Sequence, residues 1–143
     1  MFDPEGEFVL ERKMSLKALV VDDSMLIRHT VCRFLEERGF TVQAASNGLD
    51  ALEILKRLHP DLIITDMQMP KMDGSEFIKV LKSQPATKDI PVVIVAGKQS
   101  GFEKTEHRAD YAIFKDIDIE DQLAKALQVT LGLEMAEGHA AAE

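Results

Sequence analysis

A chain of 143 residues, 45% of them hydrophobic, fits a single domain with one sizeable core. Its net charge of −8 and pI near 5.0 argue against a partner that presents a phosphate backbone, so no nucleic-acid partner is expected. No apolar run approaches membrane-spanning length and no secretory signal pattern opens the chain, and the lone Cys32 cannot make an internal disulfide. These features read as a soluble cytoplasmic protein with no membrane partner.

Residues 1–14 do not fit the alternation that follows. They read as an N-terminal extension, either disordered or packing its Phe8-Val9-Leu10 patch onto the body, with Met14 as an alternative start. The body is residues 15–131. Leu16 to Val21 form a short apolar strand that stops at Asp22-Asp23, and Ser24 opens a helix over 25–38 whose inner face carries Ile27, Val31, Phe34 and Leu35. Cys32 lies in that helix as a small core or boundary residue, and Gly39 ends the helix in a left-handed conformation. Phe40 to Ala44 alternate apolar and polar, as a half-exposed edge strand does. Ser46 or Asn47 caps the next helix, which presents Leu49, Leu52, Leu55 and Leu58 and stops before Pro60.

Leu62-Ile63-Ile64 is continuously apolar, which suits a strand buried on both faces of a parallel sheet, and it runs into Asp66. A loop marked by Pro70 and Gly74 carries the chain away. Met67, Met69 and Met72 cluster there as gap-fillers, and Asp73 with Glu76 forms a capping box for a helix that buries Phe77, Val80 and Leu81. Ile90 to Val95 reads as a fourth, central strand and Tyr111 to Phe114 as a fifth, ended by Lys115. A last helix begins near Asp118 and turns Leu123, Leu127 and Leu131 inward. Residues 132–143 form a tail too short for a DNA-binding or catalytic output domain. Strands alternating with helices over short links give an α/β, doubly wound parallel sheet with helices on both faces.

In such sheets chemistry collects beyond the carboxyl ends of the strands. If the first and third strands are both central, Asp22, Asp23 and Asp66 converge there. Each close pair of carboxylates costs roughly 4 kcal/mol at ~4 Å with an effective dielectric of ~20. A cation is required, and hard oxygen donors at a half-open site suit Mg²⁺ better than zinc. Lys115, at a third strand end, can pair with a carboxylate or with a phosphoryl group placed on it. His29, His59, His107 and His139 show no metal-ligand spacing.

Val20-Val21-Asp22-Asp23-Ser24, the run from Asp66 to Gly74, and Lys115 behind a hydrophobic strand together resemble the receiver domains of two-component response regulators. The match in order and spacing covers about Leu16 to Leu131. The resemblance implies a five-stranded flavodoxin- or CheY-like sheet of order 2-1-3-4-5 with Asp66 as phosphoacceptor. It also implies Mg²⁺ held by Asp23, Asp66 and the backbone carbonyl of Gln68, with Asp22 helping through water and Lys115 on the phosphoryl oxygens. The implied partners are a sensor histidine kinase or phosphotransfer protein and a downstream protein, and the chain is compatible with a homodimer. Such a domain is a phosphoacceptor that assists its own phosphorylation and dephosphorylation rather than an enzyme.

Three positions depart from the family pattern. Ala96 stands where a Thr or Ser hydroxyl is usual, Ala112 where an aromatic is usual, and Asp116 where a proline follows the lysine. Tyr111, one position earlier, faces the other side of the sheet, and a trans bond is expected after Lys115. The stretch 97–109 is shorter than usual, with only Phe102 and Ala109 clearly apolar, so any helix in it is weakly specified; remodelling is slightly favoured. Two readings follow: a phosphoryl-accepting signalling module, or a pseudo-receiver that binds partners without phosphorylation. The departures favour the second. The complete set Asp22, Asp23, Asp66 and Lys115 favours the first, because those residues serve the chemistry and the missing ones serve the readout. An Asp-nucleophile phosphatase is weaker still, since Gln68 stands where such enzymes carry an acid.

Overall fold

The computed structural model describes residues 16–97, 100–101, 106–116 and 118–133. The chain alternates β1 (Lys17–Val21), α1 (Met25–Glu36), β2 (Thr41–Ala45), α2 (Gly48–Leu55), β3 (Leu62–Asp66), α3 (Gly74–Ser83), β4 (Val92–Ala96), β5 (Tyr111–Phe114) and α4 (Ile119–Leu131). The strands form one parallel sheet in the order β2-β1-β3-β4-β5, as expected, with β1 and β3 at the point where the winding reverses.

Side-chain alternation divides the core between the two faces of the sheet. Ala18, Val20, Leu62, Ile64, Val93 and Val95 point toward α1 and α4, where Val31, Phe34, Leu35, Leu123 and Leu127 meet them. Leu19, Val21, Ile63, Val92, Ile94 and Ala96 point the other way, toward Ala51 of α2 and Phe77, Ile78 and Leu81 of α3. Burying side chains of this size contributes roughly 1.5–3 kcal/mol each. Tyr111 and Ala112 pack on opposite faces, as the period of two requires.

Local chemistry sets the helix ends. The side chains of Ser24, Asn47 and Asp118 cap α1, α2 and α4, and Asp73 and Glu76 form the reciprocal capping box of α3. Gly39, at φ 93°, takes the left-handed conformation expected beyond α1.

Three expectations are corrected. Leu49 is exposed, and Ala51 takes the inward place on α2. β4 begins at Val92 rather than Ile90: Pro91 has no N–H to give, although its carbonyl already accepts from Ile63 N at 3.0 Å. On α3 Val80 is half-buried, and Ile78 takes the inward place beside Phe77 and Leu81. The described residues of the stretch before β5 (Gly97, Ser100, Gly101 and Glu106 to Asp110), where any helix was weakly specified, contain none; Phe102 lies outside the described residues. The 1–14 extension and most of the 132–143 tail also lie outside them. No peptide bond among the described residues is cis, and no helix among them is long and apolar enough to cross a membrane.

Candidate functional site

Sheet register brings the carboxylates together. Val21 pairs with Thr65, so the next residues, Asp22 and Asp66, stand level at the ends of adjacent strands. Both are 2% exposed, whereas Asp23 is exposed. One carboxylate oxygen from each of Asp22, Asp23 and Asp66 lies within 4.8 Å of the others.

Each buried carboxylate has one oxygen anchored by hydrogen bonds and one that accepts none among the described residues. Asp22 Oδ1 accepts from Ser24 N at 2.8 Å, so the residue that caps α1 also orients the acid. Asp66 Oδ1 accepts from Met67 N at 2.8 Å and from Gln68 N at 3.4 Å. The second oxygens, Asp22 Oδ2 and Asp66 Oδ2, are buried and have no hydrogen-bond partner among the described residues. Leaving two such atoms bare is costly, and oxygen-rich donors without protons of their own suit a small hard cation. The residues present therefore fit Mg²⁺.

β5 supplies the counter-charge. Lys115 N donates to Ala96 O at 3.0 Å, which continues the ladder, and Lys115 Nζ lies 3.1 Å from Asp66 Oδ1 and 3.9 Å from Asp22 Oδ2. Burial pushes the Asp66 carboxyl above its ordinary value, against the lowering effect of Lys115. Burial likewise pushes Asp22 up to about 6 from 3.8, with Asp66 and Asp23 adding to the rise while the Ser24 amide and Lys115 oppose it.

The raised Asp22 pKa makes stability depend on pH. The folded state binds the proton more tightly than the unfolded state does. The resulting stabilisation is complete below about pH 3.8 and is lost as pH rises through about 6. Asp22→Asn keeps the acceptor for Ser24 N and removes the titration. In metal-free buffer the variant should be more stable than the wild type at pH 7, by on the order of 2 kcal/mol, with the gap closing toward pH 4. Urea midpoints at the two pH values measure it; a gap that does not change with pH contradicts the assignment.

The loop after Asp66 is held tightly. Lys71 has φ 69° and Met72 N donates to Pro70 O at 2.7 Å, a strained γ-turn at a non-glycine residue. Met67 is 2% and Met69 9% exposed, so both fill space under the loop, and Gly48 N meets Met72 O at 3.3 Å. Of the altered positions, Ala96 is buried, Ala112 is half-buried on the α2/α3 side and Asp116 is exposed. His29, His59 and His107 are exposed and stand apart from the acidic group; His139 lies outside the described residues.

Two supporting residues were not singled out from the sequence. Arg28 Nη1 donates to the carbonyl of Asp22 at 2.7 Å, and the buried Thr65 hydroxyl donates to the carbonyl of Asp66 at 2.8 Å. Arg28 lies one turn beyond Ser24 on the capped helix, a position from which a long side chain returns to the strand end.

Comparison with known proteins places these residues in context. A family model described as the response regulator receiver domain matches residues 18–128. The response regulator MprA of Mycobacterium ulcerans is 33% identical over 115 residues, which is 78% of this chain and 49% of that protein. The chain thus spans about half the length of the MprA relatives it matches. Protein PilG of Pseudomonas aeruginosa is 37% identical over 93 residues, 65% of this chain and 69% of PilG. Among solved structures, the chemotaxis response regulator CheY4 of Vibrio cholerae superposes with a TM-score of 0.73 at 33% identity, over 80% of this chain and 97% of CheY4.

Proposed function

This chain belongs to the response regulator receiver family, and from that premise we propose that Asp66 accepts a phosphoryl group from a histidine kinase or phosphotransfer protein. The observation that carries the reading is the asymmetry of Asp66: Oδ1 is tied to Lys115 and two backbone amides, while Oδ2 accepts no hydrogen bond among the described residues, in a carboxylate grouped with Asp22 and Asp23. In transfer, a carboxylate oxygen of Asp66 attacks phosphorus. The bond from phosphorus to the donor nitrogen breaks, and its electron pair leaves with the donor imidazole.

Half-buried Lys115 offsets negative charge that gathers between the buried Asp66 and the incoming phosphoryl oxygens, where such pairing counts for more than in open water. Asp23 and Asp66, with the Gln68 carbonyl, would hold Mg²⁺ directly, and Asp22 would support it through water. When bound, the ion supplies charge neutralisation between nucleophile and phosphoryl group. Arg28 and Ser24 hold the β1 end in place, and the Asp73–Glu76 capping box secures the start of α3 behind Asp66. Met25 and Leu26, each 74% exposed at the start of α1 next to the carboxylates, offer apolar contact to a donor protein.

A second reading, a pseudo-receiver that binds partners without phosphorylation, is favoured by Ala96 and Ala112. Neither can supply the hydroxyl or aromatic ring that would report a phosphoryl group. Incubation with acetyl phosphate and Mg²⁺, followed by intact mass, separates the two. The first reading predicts one phosphoryl adduct on the wild type and none on Asp66→Asn. A wild type that stays unlabelled under conditions that label an ordinary receiver supports the second, and an adduct that survives Asp66→Asn rejects the site.

A further inference from the structure

A polar clasp joins the segment entering β5 to the first turn of α3. Glu106 is 7% exposed, and Arg108 grips it at two points, Nε to Oε2 at 2.7 Å and Nη2 to Oε1 at 2.9 Å. Ser75 completes the group: its hydroxyl donates to Glu106 Oε1 at 3.4 Å, and Arg108 Nη2 donates to Ser75 Oγ at 3.2 Å and to Ser75 O at 3.3 Å. The Arg108 guanidinium holds the Glu106 carboxyl below its usual range.

The clasp belongs to a closed circuit around the acidic site. Ser75 follows Gly74, whose N–H donates to Met67 O at 2.9 Å and whose backbone sits hard against the Asp66 carbonyl. Beyond Arg108, Asp110 exchanges hydrogen bonds with Val92 at the start of β4, and β5 then leads to Lys115, which returns to Asp66 Oδ1. Both ends of the circuit meet at Asp66, one at its backbone carbonyl and the other at its carboxylate. With no hydroxyl at Ala96, this route does not depend on one.

We infer that the Ser75–Glu106–Arg108 clasp couples occupancy of the acidic site to the order of residues 106–110. The inference rests on the proposed reading of Asp66. A ligand that fixes Asp66 and its loop also fixes the start of α3, so the clasp then costs less entropy to keep closed. By reciprocity a closed clasp strengthens binding at the site.

The test uses Mg²⁺ with beryllium fluoride, a phosphoryl mimic, read by calorimetry and by amide exchange. In the wild type, exchange over residues 106–110 slows several-fold when the mimic binds. Arg108→Ala removes that slowing and weakens the mimic by roughly fivefold, while exchange in β1 and β3 stays as in the wild type. Arg108→Lys, which keeps the charge and loses the fork, moves both readouts the same way. Should Arg108→Ala fail to fold, Ser75→Ala removes one hydroxyl and carries the same prediction with a smaller change. A mimic that binds without altering exchange at 106–110, or that binds the variants as tightly as the wild type, overturns the coupling alone. A wild type that binds no mimic overturns the proposed function and the coupling together.

Discussion

Replacing Lys115 by Ala is expected to slow labelling of Asp66 by about 100- to 1000-fold while leaving Mg²⁺ binding intact. Two effects reduce the rate together. The ammonium 3.1 Å from Asp66 Oδ1 is the protein's own cation at the site of charge build-up. It is also the chief influence lowering the Asp66 pKa against burial, so its loss leaves less carboxylate at a given pH. Metal binding is retained at saturating Mg²⁺, since all three carboxylates are still in place. The adduct time course at saturating Mg²⁺, set beside a calorimetric metal titration, separates the two. Labelling at the wild-type rate contradicts the role given to Lys115; loss of both activities points instead to collapse of the site. Lys115→Arg retains charge but not geometry and should fall between.

The largest effect on stability is expected at Gly74. A Cβ built there would lie 2.4 Å from the Asp66 carbonyl oxygen and 2.6 Å from Met67 Cα, both backbone atoms that cannot swing aside. Gly74→Ala must therefore push α3 away from the end of β3, at a cost of about 3 kcal/mol. Gly97 makes the contrast, because a Cβ there meets nothing within 4 Å among the described residues and the residue has no positive φ. Gly97→Ala should be neutral or stabilising by up to about 1 kcal/mol through the unfolded chain. Denaturant midpoints of the two variants decide it. A mild Gly74→Ala would mean that the start of α3 is free to shift, which removes the rigid link from Asp66 to Ser75.

Most of the fold was legible because its signals are local. The runs ending at Val21 and Ile64 are apolar on both faces, which marks central parallel strands. Asp73 and Glu76 announce a helix start within four residues. Leu49 was misplaced for a geometric reason. A spacing of three advances 300° on a helix, so Leu49, Leu52 and Leu55 drift around it, and the small Ala51 settles against the sheet. The start of β4 was misplaced because apolar character alone does not show that Pro91 lacks a donor. Val92 N instead finds the Asp110 carboxylate at 2.8 Å.

The acidic group was legible through strand ends, since parallel register makes residues that follow paired strands neighbours. The clasp was not. Glu106 and Arg108 are two residues apart, a spacing that signals a shared face only within a strand, and they lie outside β5; Ser75 lies 33 residues from Arg108. Arg28 and Thr65 escaped notice for a related reason: each donates to a backbone carbonyl, an acceptor that every residue carries.

On the proposed reading, carboxylates from two strand ends form one cation site at Asp66. Calorimetric titration of the wild type, Asp23→Asn and Asp66→Asn with Mg²⁺ tests it most directly. A single site in the wild type, lost or greatly weakened in both variants, is the predicted result; unchanged binding in either variant, or no binding to the wild type, would contradict it.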